Sequence, residues 1–144
     1  MIFGNDRDRL RRQWFKAWQS HLSGRPLEPL ERQIVGVLLA HPEYQPLVAS
    51  EAGLNAEFPP ELGQTNPFLH MGLHLAVREQ LQLDRPAGIR AIWEQLMEKQ
   101  TDAHHAEHLL IDCLAEQLWL AQRNGRPPDE GAYLDCVRQH TKSA

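Results

Sequence analysis

Residues 66–82 read NPFLHMGLHLAVREQLQ. Asparagine followed by proline marks a helix start. The Asn side chain accepts from an early backbone N–H, and proline at the first position gives up a donor that has no intrahelical partner anyway. At about 100° per residue the apolar groups then take up nearly the whole circumference. Phe68, Met71 and Leu75 lie on one side, and Leu69, Leu73, Val77 and Leu81 on another. A helix that is apolar almost all round is expected inside a protein. Gly72 is expected to let a neighbour approach closely. His70 and His74 stand one turn apart on the same helix.

Helical signals continue on both sides of this segment. A first helix is expected over residues 6–22, capped by Asn5 and stopped by Gly24 and Pro26. Leu10, Trp14, Trp18 and Leu22 repeat every four residues as its core stripe, widened by Phe15. Pro29 suits the first turn of a second helix, on which Leu30, Ile34, Val37, Leu38 and His41 face inward until Pro42 ends it. Residues 43–50 form a short helix or turn. Residues 51–65, with Gly53, Pro59, Pro60 and Gly63, read as a loop long enough to strap the core. Beyond the central segment, Asp84-Arg85-Pro86 opens a fourth helix with Ile89, Ile92, Trp93 and Leu96 inward. Thr101-Asp102 caps a fifth that runs to residue 124. Its apolar face carries Ala103, Ala106, Leu110, Cys113, Leu114, Leu118 and Ala121. Pro127, Pro128 and Asp129 lead into a last helix with Tyr133, Leu134 and Val137 inward. No period-2 strand pattern of useful length interrupts the series. The expected fold is all-α: one domain over residues 1–144, an irregular bundle of five to six helices with residues 67–82 and 102–124 at its centre.

Composition narrows the function classes. At 144 residues, with 42% hydrophobic and 24% charged residues, the chain is an ordinary globular mix. The longest apolar run, residues 34–40, is far short of the ~20 residues that span a bilayer, so no membrane insertion is expected. The opening MIFGNDRDRLRRQ has no apolar stretch before a small-residue cleavage site, so no signal peptide is expected. Cys113 and Cys136 are too few for a disulfide framework and do not form a CxxC. They are expected to be free thiols filling core positions in a reducing cytoplasm, and a redox pair would require their helices to lie side by side. The net charge of −4 disfavours nucleic acid. Arg7, Arg9, Arg11, Arg12 and Lys16 are a local exception, read as the solvated face of the amphipathic first helix.

Histidine is the residue in excess, with eight in the chain. His70 and His74 form one i, i+4 pair, and His104 and His108 form another with His105 between them. Glu107 adds a carboxylate on an apolar face, where a charge needs a partner. Two HxxxH pairs on neighbouring helices would supply four to six nitrogen and oxygen ligands, a set suited to iron, zinc or manganese. The competing reading makes these histidines ordinary core or surface residues, with Glu107 in an ion pair with Arg78, Arg85 or Arg90. HExxH, GxGxxG, the P-loop and the GxSxG elbow are all absent from the sequence. No catalytic residue can be named.

Four stretches, NPFLHMGLHLAVREQ (66–80), DRPAGIR (84–90), DAHHAEH (102–108) and LWLAQRNGRPPDEGAYL (118–134), resemble a family of small bacterial proteins, domain of unknown function 1841. HPEY at residues 41–44 is a weaker likeness. The resemblance implies a bacterial, cytoplasmic protein and brings no activity with it. The functional expectation is a metal ion held between helices by His70, His74, His104, Glu107 and His108. The alternative is a non-enzymatic module that binds a protein partner, or a second copy of itself, through an exposed patch containing Trp119.

Overall fold

The computed structural model describes residues 2–58 and 66–142, with side chains described from residue 8 onward. Among these residues every regular element is helical: α1 (Ile2–Leu22), α2 (Pro29–Ala40), a 3-10 helix (Pro42–Val48), α3 (Glu51–Leu54), α4 (Pro67–Leu83), α5 (Ile89–Lys99), α6 (Ala103–Asn124) and α7 (Glu130–Lys142). The fold is all-α. Two short elements, the 3-10 helix and α3, raise the count above the five to six expected. Contacts group the chain into two compact units, Met1–Leu75 and Ala76–Ala144, with the boundary falling inside α4.

In the first unit α1 packs on α2, α3 and the 3-10 helix. Trp14, Ala17, Trp18, Ile34, Val35, Val37, Leu38, Val48 and Met71 form a buried cluster flanked by Leu27, Tyr44, Phe68 and Leu75. Removing a large aliphatic side chain such as Leu38 from such a core costs about 2–5 kcal/mol. The expected α1 stripe is correct only in its middle, because Leu10 and Leu22 are exposed. Four residues advance a helix by about 400°, so each step turns the stripe about 40° further round and carries its ends into solvent. Helix α1 also begins before Asn5, which lies inside it and is not its cap. Helix α2 starts with Pro29 in its first turn. There a capping box joins Glu28 and Glu31, and Glu31 Oε1 accepts from the Glu28 N–H at 2.9 Å.

Arg11 corrects the solvated-face reading of α1. It is buried, and its Nη1 donates to the carbonyls of Leu54 (2.9 Å) and Ala56 (2.8 Å). Its guanidinium lies 4.5 Å from the centre of the Phe68 ring. These bonds tie down residues 54–56, at the start of the stretch read as a loop. That stretch opens with the single turn of α3, capped by Ser50, and residues 59–65 lie outside the described residues. Gly53 is required there, since a Cβ would run into the backbone of Leu47.

Helix α4 begins as expected, with Asn66 Oδ1 accepting from the N–H groups of Phe68 (2.9 Å) and Leu69 (3.3 Å). It is not buried all round. Met71, His74 and Val77 are buried at three-residue spacing, whereas Leu69 and Leu83 are exposed. No neighbour closes on Gly72, since a Cβ there would meet nothing within 4 Å.

In the second unit α5, α6 and α7 pack pairwise on one another. Val77, Ile89, Ile92, Leu96, Leu110, Ile111, Leu114, Tyr133 and Val137 are buried. The fourth helix starts at Ile89, later than Asp84-Arg85-Pro86 suggests. Asp84 takes a positive φ and the Arg85–Pro86 bond is cis. Asp84 Oδ1 reaches over the turn to accept from the N–H groups of Gly88 (3.2 Å) and Arg90 (3.0 Å). Arg90 caps the end of α4 by donating to the carbonyls of Leu81 (3.1 Å) and Gln82 (2.6 Å). Asp102 caps α6, and Gly125, in the left-handed region, ends it.

The reading of the cysteines as free thiols is overturned. Helices α6 and α7 lie side by side, with the Cα atoms of Cys113 and Cys136 5.8 Å apart and their sulfurs bonded. The inward faces of the two helices bring the sulfurs together, although 23 positions separate them in the chain. The expectation of a reducing cytoplasm loses the support it drew from free thiols. No helix among the described residues is long and apolar enough to cross a membrane.

Candidate metal centre

Three imidazoles converge in the first unit. His74 is fully buried in the middle of the Met71, His74 and Val77 stripe of α4, and His41 is buried at the end of α2. His70, one turn before His74, is half-buried. Pro42 fixes the position of His41, ending α2 and starting the 3-10 helix. His41 Nδ1 lies 2.8 Å from the Val37 carbonyl oxygen. A carbonyl only accepts, so Nδ1 carries the proton and, in the neutral ring, Nε2 presents a lone pair. That Nε2 is 3.1 Å from His74 Nε2, which is also 3.1 Å from His70 Nε2. The ring centroids of His41 and His70 are 5.6 Å apart.

Proton bookkeeping makes this meeting point unusual. A neutral ring nitrogen carries either one proton or one lone pair, directed along a single line in the ring plane. His74 Nε2 faces two other imidazole nitrogens, and a single N–H serves two acceptors poorly. A cation beside His74 Nε2 would accept lone pairs that a single proton cannot serve. Zinc–nitrogen bonds of about 2.0–2.1 Å place adjacent ligand nitrogens about 2.8–3.4 Å apart, from octahedral to tetrahedral geometry. Both separations at His74 Nε2 fall within that range.

Tyr44 walls the cluster. It stacks on His41, with centroids 5.5 Å apart and planes 14° apart, and meets His70 edge-on at 6.2 Å. Desolvation, reinforced by the charge of Glu43, raises its phenol above the ordinary value, so it stands there as a neutral group. The Nδ1 bond to Val37 is the outer support by which metal-binding histidines are commonly oriented.

His104 and His108 belong to the second unit. Their rings are 4.4 Å apart at 74° and both are half-buried. Glu107 is buried and accepts from Arg78 Nε at 2.9 Å, which is the ion-pair partner its position demanded. His105 is exposed. Trp119 is 56% exposed, with the Arg123 guanidinium 5.1 Å over its ring.

The i, i+4 spacing thus brought each predicted pair together ring to ring, but His41 was missed as a member of the cluster. Its inward position on the second helix was legible, as was the HPEY motif that carries it. The 33 positions between His41 and His74 hid their meeting. A cavity of about 480 Å³ in the same unit, lined by Trp14, Phe68, Leu69 and Leu73 among others, has none of these histidines in its wall.

The family described as a domain of unknown function (DUF1841) matches residues 6–139. The match extends well beyond the C-terminal stretches on which the resemblance was first seen. No curated protein and no solved structure matches the chain.

Proposed function

We propose, from the premise that the chain belongs to the DUF1841 family and that this description names no activity, that it is a metal-binding protein whose ion is held by His41, His70 and His74. One observation carries this reading: two imidazole nitrogens each stand 3.1 Å from His74 Nε2. Neutral nitrogen ligands suit iron, zinc or manganese. His104 and His108 lie in the second unit, where their i, i+4 pairing repeats that of His70 and His74. Glu107, already engaged by Arg78, holds that arginine in place.

The test is elemental analysis of untagged protein, as purified and after loading with iron, zinc or manganese. One ion per chain is expected. His70→Ala, at the half-buried position, is expected to weaken binding at least about tenfold. A folded wild-type protein that takes up none of the three metals would overturn the reading. Wild-type affinity in both His70→Ala and His41→Gln would do the same.

A further inference from the structure

A second group of ligand atoms lies in the second unit, away from any role given so far. Sγ of Cys113, Sγ of Cys136 and a ring nitrogen of His140 all lie within 4.8 Å of one another. The group is built from two elements. Cys136 and His140 are four residues apart on α7 and therefore share one face. Cys113 comes from α6, packed alongside. Cys113 is almost fully buried, whereas Cys136 and His140 are half-buried, so the group has a closed inner side and an open outer one.

A purely structural crosslink would not need an imidazole beside it. Two sulfurs and one imidazole are the protein ligands of a zinc site that leaves its fourth position to water, and the open side leaves room for that water. In such a site the sulfurs stand about 3.8 Å apart, from zinc–sulfur bonds of about 2.3 Å in a tetrahedron. Helices that hold the cysteine Cα atoms 5.8 Å apart allow this separation by side-chain rotation.

We propose that Cys113, Cys136 and His140 form a thiol-gated zinc site, empty while the disulfide is closed and filled once it is reduced. The chemistry balances with a dithiol as reductant. One dithiol thiolate attacks a sulfur of the Cys113–Cys136 bond to form a mixed disulfide. The second dithiol thiolate then closes the reductant's own disulfide and releases the protein thiol. Two electrons pass to the protein, leaving two thiols. Zinc binding displaces their two protons and adds the His140 lone pair. An exchangeable disulfide takes the two electrons back through the same mixed disulfide, leaves as two thiolates and expels the ion, because the same sulfurs cannot bond both to zinc and to each other.

Cobalt(II) is the probe, since thiolate ligation gives it a near-ultraviolet charge-transfer band that the imidazole centre cannot produce. The full-length protein is reduced with a phosphine, desalted without oxygen and titrated with cobalt. Reduced wild type is expected to bind one thiolate-ligated cobalt, displaced by zinc, while the oxidised protein shows no such band. Cys136→Ser is expected to lose the two-thiolate spectrum. His140→Ala is expected to keep a charge-transfer band but bind at least about tenfold more weakly. A mild disulfide-forming oxidant is expected to release zinc in step with thiol loss. The proposal is overturned if reduced wild type shows no band, if reduction melts the helices, or if His140→Ala binds cobalt as tightly as wild type. None of these readings depends on the histidine cluster of the first unit, so the two proposals stand or fall separately.

Discussion

Opening the Cys113–Cys136 bond should cost the protein a calculable share of its stability. The crosslink joins positions 23 residues apart. In the chain-entropy treatment, closing a loop of that length removes about 11.4 cal/mol/K from the unfolded ensemble, or about 3.4 kcal/mol at 25 °C. Typical domains hold ~5–15 kcal/mol in all, so the reduced protein should remain folded but with a visibly smaller margin. With a urea slope of about 2 kcal/mol/M, the midpoint should fall by about 1.7 M. Circular dichroism follows the helices, and hydrogen exchange in α6 and α7 places the loss in the elements that carry the bond. The double variant Cys113→Ala/Cys136→Ala should reproduce the shift without added reductant. It should also show a somewhat steeper slope, because an uncrosslinked unfolded chain exposes more surface. A shift below about 1 kcal/mol in both experiments would refute the entropic reasoning.

Other consequences follow from buried polar contacts. The Tyr133 hydroxyl donates to Gln80 Oε1 at 2.6 Å, and burial raises its phenol well above the ordinary value of about 10. The folded state therefore holds this proton more tightly than the unfolded one, so its contribution is intact below pH ~10 and lost as pH rises above it. Alkaline denaturation of Tyr133→Phe should show a shallower decline than wild type, with about 1 kcal/mol lost at neutral pH; identical alkaline profiles would contradict this. Arg11→Met should cost about 3–4 kcal/mol, since it removes two charged-donor bonds to backbone carbonyls and a contact with Phe68. Arg12→Met, which breaks an exposed 3.4 Å pair with Glu51, should cost under about 1 kcal/mol; comparable melting-temperature losses would reverse the assignment. Arg78→Met should destabilise by about 2 kcal/mol, because it strands buried Glu107, and adding Glu107→Gln should recover part of that loss. Urea titrations showing no recovery would place the role of Glu107 elsewhere.

What the sequence made legible was local. The Asn66-Pro67 start, the Asp102 cap and the Gly125 stop each follow from backbone groups that must find partners within a few residues, and all three are in place. The i, i+4 histidine pairs are equally local, and their rings do meet. What the sequence hid depends on which helix faces which. Arg11 sat among four other cations on α1, and nothing near it in the chain signalled the carbonyls of Leu54 and Ala56, more than forty positions away. The disulfide was hidden in the same way. Periodicity placed both cysteines on helices, but only the packing of α6 on α7 turns two core-sized thiols into one bond. Leu69 was misjudged for a different reason: an apolar circumference shows which residues could be buried, and neighbours decide which are.

The two ligand groups differ in a way that bears on how one small chain would separate two ions. The first offers imidazole nitrogens alone, with His41 oriented by the Val37 carbonyl. The second offers two sulfurs and one nitrogen, and it exists as a ligand set only after reduction. Thiolates favour zinc and other soft or borderline ions, whereas imidazoles also accept iron and manganese. Under oxidising conditions the proposed nitrogen site would be the one of the two open to metal, and it would take its ion whatever the state of the sulfurs. After reduction the sulfur site would take zinc first, leaving the histidines to the remaining metals. Loading the reduced protein with equimolar zinc and manganese separates these cases: zinc on the thiolates and manganese on the imidazoles is expected. Zinc on the histidines with free thiols remaining would show that ligand softness does not govern the partition.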